Sequence, residues 1–327
     1  MSLRKENAVQ NWHNVVIGIP TYRRPRQLRW LLESLARQVP QGARVVVADN
    51  DCDPAVEELV ATAADELAMS VEYIMVPERG ISQVRNALIA AATERVPDWE
   101  WIVQYDDDGT VADGALCSLV EGAEQLDADA VAGMVVPIPE VASSPFLRSY
   151  LPDCQEQPTG LVEMLSGGQN IALSRGLIER MGSPWFTPRF GLVGGEDYDF
   201  FLRAKQHGAR LAWISEAVVY EGIPAQRCSA RAVLRRTFLE NTGKTAIDRN
   251  ALGTKQMLSS LADDAASAPR NVAAAVVRRD PDRLRACVLQ VVGLGGRVLG
   301  LTGYKARRYS TPAPESVVGE CLQGTGS

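Results

Sequence analysis

Apolar runs of strand length alternate with amphipathic helices through the first third of the chain, and this alternation constrains the fold more than any other feature. Val15-Val16-Ile17-Gly18-Ile19-Pro20, Ala43-Arg44-Val45-Val46-Val47-Ala48, Val71-Glu72-Tyr73-Ile74-Met75-Val76 and residues 99–105 each read as a buried strand. Helices are expected between them. The first spans 27–38, with Leu28, Leu31, Leu32 and Leu35 at helical spacing; the second spans 55–67; the third spans 81–95, striped by Ile81, Val84, Leu88 and Ile89. Strand and helix alternating across short turns specify an α/β fold with a Rossmann-like, mostly parallel central sheet flanked by helices. Such a sheet keeps its ligands at the carboxyl ends of its strands.

At one of those ends the chain places Asp106-Asp107-Asp108-Gly109, directly after Trp99-Glu100-Trp101-Ile102-Val103-Gln104-Tyr105. Carboxylates crowded at a strand end repel one another unless a cation or hydrogen-bond donors offset the charge. A pair one residue apart can also grip a divalent cation from one side, leaving its other positions to phosphate oxygens and water. The plain alternative is a solvated acidic turn. A second acidic group, Gly194-Gly195-Glu196-Asp197-Tyr198-Asp199, starts a helix expected to run to His207 and stop at Gly208. Its acids suit either a helix N-terminus, favoured by the dipole, or a rigidly held general base. Asp49, at the end of the second strand, is either a turn former or an acceptor for a base imide or a ribose hydroxyl. Arg79, Arg85 and Asn86 are either solvated or partners of a diphosphate.

Composition narrows the chemistry. A formal charge of −6 over 327 residues excludes a general nucleic-acid binder, which needs surplus Lys and Arg to displace phosphate counterions. Cys52, Cys117, Cys154, Cys228, Cys287 and Cys321 form no Cys-x-x-Cys pair, and no apolar leader opens the sequence, so a reduced cytoplasmic protein is expected. The histidines are His13 and His207, neither with Cys or Glu at zinc-ligand spacing, which sets aside Ser-His-Asp and Cys-His catalysis and zinc sites. Carboxylates are left, and their hard oxygens suit Mg²⁺ or Mn²⁺. No Gly-x-Gly-x-x-Gly follows the first strand, which argues against a dehydrogenase.

The second half is less regular. A helix is expected over 114–126 and a strand over 130–136, broken by Pro137 and Pro139. Residues 140–165 show no pattern. Strands over 171–174, 209–214 and 217–220 and a helical turn over 175–181 complete this part. Past Pro224 a basic helix is expected over 232–238, while 286–301 is apolar but glycine-rich and interrupted by Arg297. The organisation expected is a catalytic unit over 1–225, a basic helical extension over 226–310 and a disordered tail over 311–327.

Taken in order, Ile17-Gly18-Ile19-Pro20-Thr21-Tyr22-Arg23-Arg24, Val47-Ala48-Asp49-Asn50, Glu78-Arg79-Gly80 with Arg85-Asn86, Asp106-Asp107-Asp108 and Gly194-Gly195-Glu196-Asp197 resemble the family 2 glycosyltransferases of GT-A fold. The resemblance spans roughly residues 15–236. It implies an inverting, hexosyltransferase-type enzyme that moves a sugar from a nucleotide-sugar donor, chiefly a UDP-sugar, to a hydroxyl. The acceptor would be a glycan, a lipid-linked glycan or a natural product, as in polysaccharide biosynthesis. On matching positions, Pro20, Thr21, Tyr22, Arg23 and Asp49 would hold the nucleotide, with Arg79 and Arg85 near the base or diphosphate. Asp106 and Asp108 would form the Asp-x-Asp motif that meets ribose and metal. Asp197 would be the general base, with Glu196 its rival, and Gly168, Gln169 and Asn170 would line the sugar or acceptor pocket. Where many relatives place a late metal-binding histidine, this chain reads Val218-Val219-Tyr220-Glu221-Gly222, so Glu221 would substitute as an oxygen ligand.

Two alternatives carry less. A sugar nucleotidyltransferase would show a Gly-rich loop after its first strand, where this chain has Pro20-Thr21-Tyr22-Arg23-Arg24. A non-catalytic nucleotide-sugar-binding protein has no need of both acidic groups. Between Arg270 and Arg308, nine Lys or Arg face only Asp280 and Asp282. This basic part is either a helical cap with solvated charges or a peripheral contact with an anionic leaflet at the inner face of a membrane. Residues 286–296 are too few to span one.

Overall fold

The computed structural model describes residues 12–40, 42–151, 157–165 and 167–304. Its first part follows the alternation: β1 (Val15–Thr21), α1 (Pro25–Ala36), β2 (Arg44–Asp49), α2 (Pro54–Glu66), β3 (Val71–Met75), α3 (Ile81–Arg95) and β4 (Trp101–Tyr105). All three neighbouring pairs among these strands are parallel, with Ile17 level with Val45 on one side and Val103 on the other. Odd and even positions part cleanly. Ile17, Ile19, Val45, Val47 and Val103 face Leu28, Leu31, Val56 and Val60 of α1 and α2, whereas Val16, Val46 and Ile102 face Leu88 and Ile89 of α3. Each such side chain, fully buried, contributes roughly 1.5–3 kcal/mol.

The second part comprises β5 (Gly109–Val111), α4 (Ala115–Gln125), β6 (Ala130–Pro139), α5 (Pro145–Tyr150), β7 (Gly160–Val162), β8 (Asn170–Ser174), α6 (Arg175–Met181), α7 (Glu196–Gln206) and β9 (Leu211–Ile223). The strand order is β3-β2-β1-β4-β8-β6-β9-β5, with β7 also paired to β9. Here the sheet is mixed: β8 is antiparallel to β4 and β6, β6 is parallel to β9, and β5 and β7 are antiparallel to β9. The unbroken parallel run expected from the alternation is therefore confined to the first four strands, and beyond them β6 and β9 are the parallel pair.

Pro137 does not end β6, which runs through it as far as Pro139. Its pairing with β8 stops at Ala132, so beyond that point β6 needs hydrogen bonds on one side only, and a proline is tolerated there. The strands expected over 209–214 and 217–220 are one strand with a bulge, where pairing jumps from Gly133↔Ile214 to Met134↔Val218. The featureless stretch 140–165 holds α5 and β7.

After β9 the chain forms α8 (Ala230–Leu252), α9 (Thr254–Arg278) and α10 (Pro281–Leu301), a helical extension as expected past 226, although the sequence placed a single short helix in it, over 232–238. Their contacts are polar and close. Arg297, whose side chain is 2% exposed, pairs with Asp248 of α8 at 2.7 Å and with Asp264 of α9. A Cβ on Gly296 would meet the Phe238 carbonyl oxygen at 2.3 Å, so glycine alone lets α10 lie this close to α8. By length and composition α10 could cross a membrane. Its glycines and Arg297 instead bind it to the other two helices. The tail expected over 311–327 lies outside the described residues.

Candidate active site

The carboxyl ends of β1 and β4 meet at Asp107. Its side chain is 5% exposed and accepts from the Thr21 hydroxyl at 2.8 Å, the Tyr22 N–H at 3.3 Å and Arg24 Nη1 at 2.8 Å. The middle aspartate, without a role in the sequence reading, is thus the clamp that joins the two strand ends. Burial, with Asp108 close by, pushes its carboxyl up to about 6 against the pull of Arg24. Arg24 also reaches Asp108 at 2.7 Å, and although burial opposes its charge, Asp107 and Asp108 raise its pKa above the usual arginine value. Arg24, not Arg23, is the arginine of this turn that serves the acids. The chain passes through the left-handed region at Arg23 (φ 56°), which turns that side chain outward to Asp51 at 2.8 Å. The guanidinium groups of Arg23 and Arg79 lie over the Tyr22 ring, 5.2 and 4.3 Å from its centre.

Asp106 keeps about a third of its side chain exposed and accepts from Arg85 Nη2 at 2.8 Å. Arg85 itself is 2% exposed. Its Nη1 donates to Gln104 Oε1 and to the Gly168 carbonyl, each at 2.8 Å, and its Nε lies 3.6 Å from Glu196 Oε1. Arg85 is therefore no surface partner for a diphosphate. It is the buried junction through which α3 holds the end of β4, the loop before β8 and the start of α7. Gly168 must be glycine for this, because a Cβ there would stand 2.6 Å from Arg85 Nη2.

On α7 the two acids differ in setting. Glu196 is 4% exposed, its Oε2 has no partner among the described residues, and burial together with Asp197 pushes its carboxyl up to about 7. Asp197 is half-buried and accepts from the Gly167 N–H at 2.8 Å. Next to it, Asp199 is fully buried, held by Thr187 at 2.6 Å, Arg203 at 2.9 Å and Asn250 at 2.9 Å, while Tyr198 donates to Asp248 at 3.1 Å. The helix that carries Asp197 is thus anchored to α8 through the two residues that follow it.

The remaining expected site residues divide. Gln169 donates to Glu221 Oε2 at 3.3 Å. Glu221 sits opposite Gly109, beside the aspartates; burial, then Asp108, pushes its carboxyl up to about 7 while Arg236 opposes. Asn170 belongs to the sheet, not to a pocket: its amide donates to the carbonyls of Met134 and Ala217 and plugs the β9 bulge. Asp49 is likewise fully buried and turned inward, accepting from the N–H groups of Asp51 and Asp53 and from the Tyr73 hydroxyl. It shapes the loop after β2. Asn86 pairs with the backbone of Phe186.

Two site residues were not singled out from sequence, Arg227 and Arg236. Arg236 is raised above the usual arginine value: burial opposes its charge, but Tyr150, Glu240 and Glu221 outweigh it. Arg227 is half-buried, its guanidinium makes no hydrogen bond or ion pair among the described residues, and its pKa is lowered by burial and by Arg236. A guanidinium left in that state beside Arg24 and Arg236 prefers an anion nearby. Only the clustering of arginines over 227–236 hinted at this in the sequence.

The family model described as Glycosyl transferase family 2 matches residues 16–163. The succinoglycan biosynthesis protein ExoM of Rhizobium meliloti (strain 1021) is 30% identical over 302 residues, which cover 89% of this chain and 94% of ExoM. The chain belongs to glycosyl transferase family 2. This glycosyltransferase also resembles solved structures. The mannosyltransferase PcManGT from Pyrobaculum calidifontis, in complex with GDP-Man and Mn²⁺, is 19% identical with a TM-score of 0.58, covering 89% of this chain and 88% of that one. S. aureus TarS 1–349, in complex with UDP, is 16% identical with a TM-score of 0.53, covering 73% and 66%. These likenesses show the fold, an α/β GT-A type with a mixed central sheet. The nucleotidyltransferase and non-catalytic alternatives are set aside.

Among the described residues no three His, Cys, Asp or Glu side chains close into a metal cage. Asp106 and Asp108 nevertheless lie near enough to Glu221 to add to the effect of burial in raising its carboxyl. Mg²⁺ in such sites takes one or two carboxylates and fills its shell with water and phosphate oxygens, so the residues fit an open divalent site.

Proposed function

We propose that this glycosyltransferase moves a sugar from a UDP-sugar to a hydroxyl of a growing glycan with inversion at the anomeric carbon. One observation carries the reading. A single buried guanidinium, that of Arg85, touches Asp106 at the donor-side strand end and approaches Glu196 at the start of α7, so donor-side and acceptor-side acids are held in one frame. The glycan acceptor is supported by identity to a succinoglycan biosynthesis protein, and the uridine donor by the UDP bound to TarS.

In this reading Asp197 is the base. Its carboxylate takes the proton of the acceptor hydroxyl as that oxygen attacks the anomeric carbon, while the bond to the departing diphosphate breaks with its electron pair on the phosphate oxygen. Glu196 is the weaker rival, because burial keeps it half-protonated near neutral pH and it faces Arg85. Arg24, Arg227 and Arg236 meet the charge that builds on the diphosphate. Asp108 and Glu221, with Asp106, would hold Mn²⁺ or Mg²⁺, which would supply further positive charge to the same oxygens. Tyr22, framed by Arg23 and Arg79, offers a stacking surface to the base, and Asp49 keeps the neighbouring loop in shape.

The test pairs binding with turnover. Asp197→Asn is expected to keep calorimetric affinity for UDP with Mn²⁺ and to lose transfer by roughly 10²–10⁴-fold. Full turnover by this variant would remove Asp197 from the mechanism. A thermal-shift series with UDP and GDP checks the donor, since a ligand at a hundred times its Kd stabilises by about 2.7 kcal/mol. A larger shift with GDP would overturn the uridine choice.

A further inference from the structure

We propose that the tip of the α9–α10 hairpin, with the first turns of α8, is a docking surface for an anionic phospholipid leaflet. The three helices place that tip. Asn271 bonds Gln290 at 3.0 Å and Asp264 meets Arg297, so α9 runs antiparallel to α10 and its end lies level with the start of α10. Val233 of α8 shares a cluster with Leu289 of α10, and a Cβ on Gly296 would touch Phe238, so α8 and α10 run side by side in the same direction. The end of α9, the start of α10 and the start of α8 therefore form one end of the bundle.

That end carries both ingredients of an interfacial surface. Val276 and Val277 are 60% and 82% exposed, and Leu284, Val288 and Val291 continue outward along α10 at 44%, 38% and 54%. The last three recur at positions i, i+4 and i+7, which makes one helical stripe left exposed among the described residues. Around them Arg231, Arg235, Arg278 and Arg279 are exposed and form no ion pair among the described residues. The acids at the tip are already engaged: Asp280 caps α10 and pairs with Arg283 at 3.2 Å, and Asp282 pairs with Arg285 at 2.5 Å. Net positive charge beside exposed valines, in a chain whose total is −6, is complementary to a negatively charged leaflet. Arginine stems can lie along the apolar layer while their heads reach phosphate. The surface does not require α10 to leave the bundle, since Arg297 and the glycine contacts stay in place.

The tip is also on the side of the site. Leu289 packs in the same cluster as Ile223 and Cys228, which lie two residues after Glu221 and next to Arg227. Docking by this end would hold the diphosphate side of the site close to the leaflet. The inference stands apart from the choice of donor and base.

Full-length protein would be sedimented with vesicles of phosphatidylcholine containing 30% phosphatidylglycerol, and with pure phosphatidylcholine, at low and high salt. Binding to the anionic vesicles at low salt is expected, weakened by salt and absent from the neutral ones. A basic residue at such a surface is worth about 1 kcal/mol, or roughly fivefold, so Arg278→Glu with Arg279→Glu is expected to weaken binding at least tenfold. Val276→Asp with Val277→Asp is expected to abolish it, with melting temperature and circular dichroism unchanged in both variants. No sedimentation with anionic vesicles, or equal binding by folded variants, would overturn the proposal. So would a dimer by light scattering that the Val276→Asp, Val277→Asp variant converts to monomer, which would assign the face to a second copy.

Discussion

Three adjacent carboxylates on one turn end in three different environments, and what separates them is which donors surround each. Asp107 has three donors, Asp106 has Arg85, and Asp108 shares Arg24. Asp107→Ala removes the acceptor for all three donors and leaves Arg24 with Asp108 alone. It is expected to cost about 3–5 kcal/mol, the range for breaking a buried pair, read as a fall in melting temperature. Glu196 tests the opposite sign. Its folded-state carboxyl is pushed up to about 7 from an ordinary 4.5, so between these pH values the folded chain keeps a proton that the unfolded chain releases. Stability therefore falls as pH rises through that window. Glu196→Gln is expected to melt near the wild type at pH 4.5 and above it at pH 8, by on the order of 3 kcal/mol at most. An equal gain at both pH values would refute this account. In the sequence, Asp106, Asp108 and Asp197 were legible because each follows a strand end or a glycine turn. Arg24 was not, because only the positive φ of Arg23 decides which of two neighbouring arginines turns inward.

At the scale of elements, legibility followed periodicity. The strands and helices up to β4 declared themselves by apolar spacing because each buries an apolar face on the sheet. The helices of the C-terminal part did not, since the positions they bury include Thr237, Thr242, Thr245, Asp248 and Arg297. A contact made of threonine, glycine and an ion pair leaves no hydrophobic stripe to read. Pro137 misled for a related reason: a proline rule applies to a strand bonded on both sides, and sequence does not say where a neighbour stops. The close contact of α8 and α10 gives an element-scale test. Gly296→Val would drive a side chain into the Phe238 carbonyl and is expected to destabilise by about 1–3 kcal/mol, the cost of overpacking. Denaturant melts that show no loss would mean the helices can move apart at little cost.

For the whole molecule, the fold and the family were legible early, since five ordered motifs span the sheet. The share of the site that comes from beyond β9 was not, because Arg227 and Arg236 come near Glu221 only through the path the chain takes after β9 and along α8. Arg297 is the keystone that holds α8, α9 and α10 together. Arg297→Leu leaves Asp248 buried beside Tyr198 with only Lys244, 3.5 Å away, as counter-charge. The expected cost is about 3–5 kcal/mol, with a loss of transfer in the surviving folded fraction measured below the melting temperature. Unchanged melting would show that the pair contributes no more than a solvated one. The contact of α7 with α8 bears on how such enzymes can be recombined. Because Tyr198 and Asp199 of α7 are bonded to Asp248 and Asn250 of α8, the acid proposed to choose the acceptor's hydroxyl is mounted on both halves of the chain at once. A chimera spliced at the end of β9 from two parents would inherit a mismatched mount, so catalytic unit and helical extension are not interchangeable cassettes unless α7 and α8 travel together.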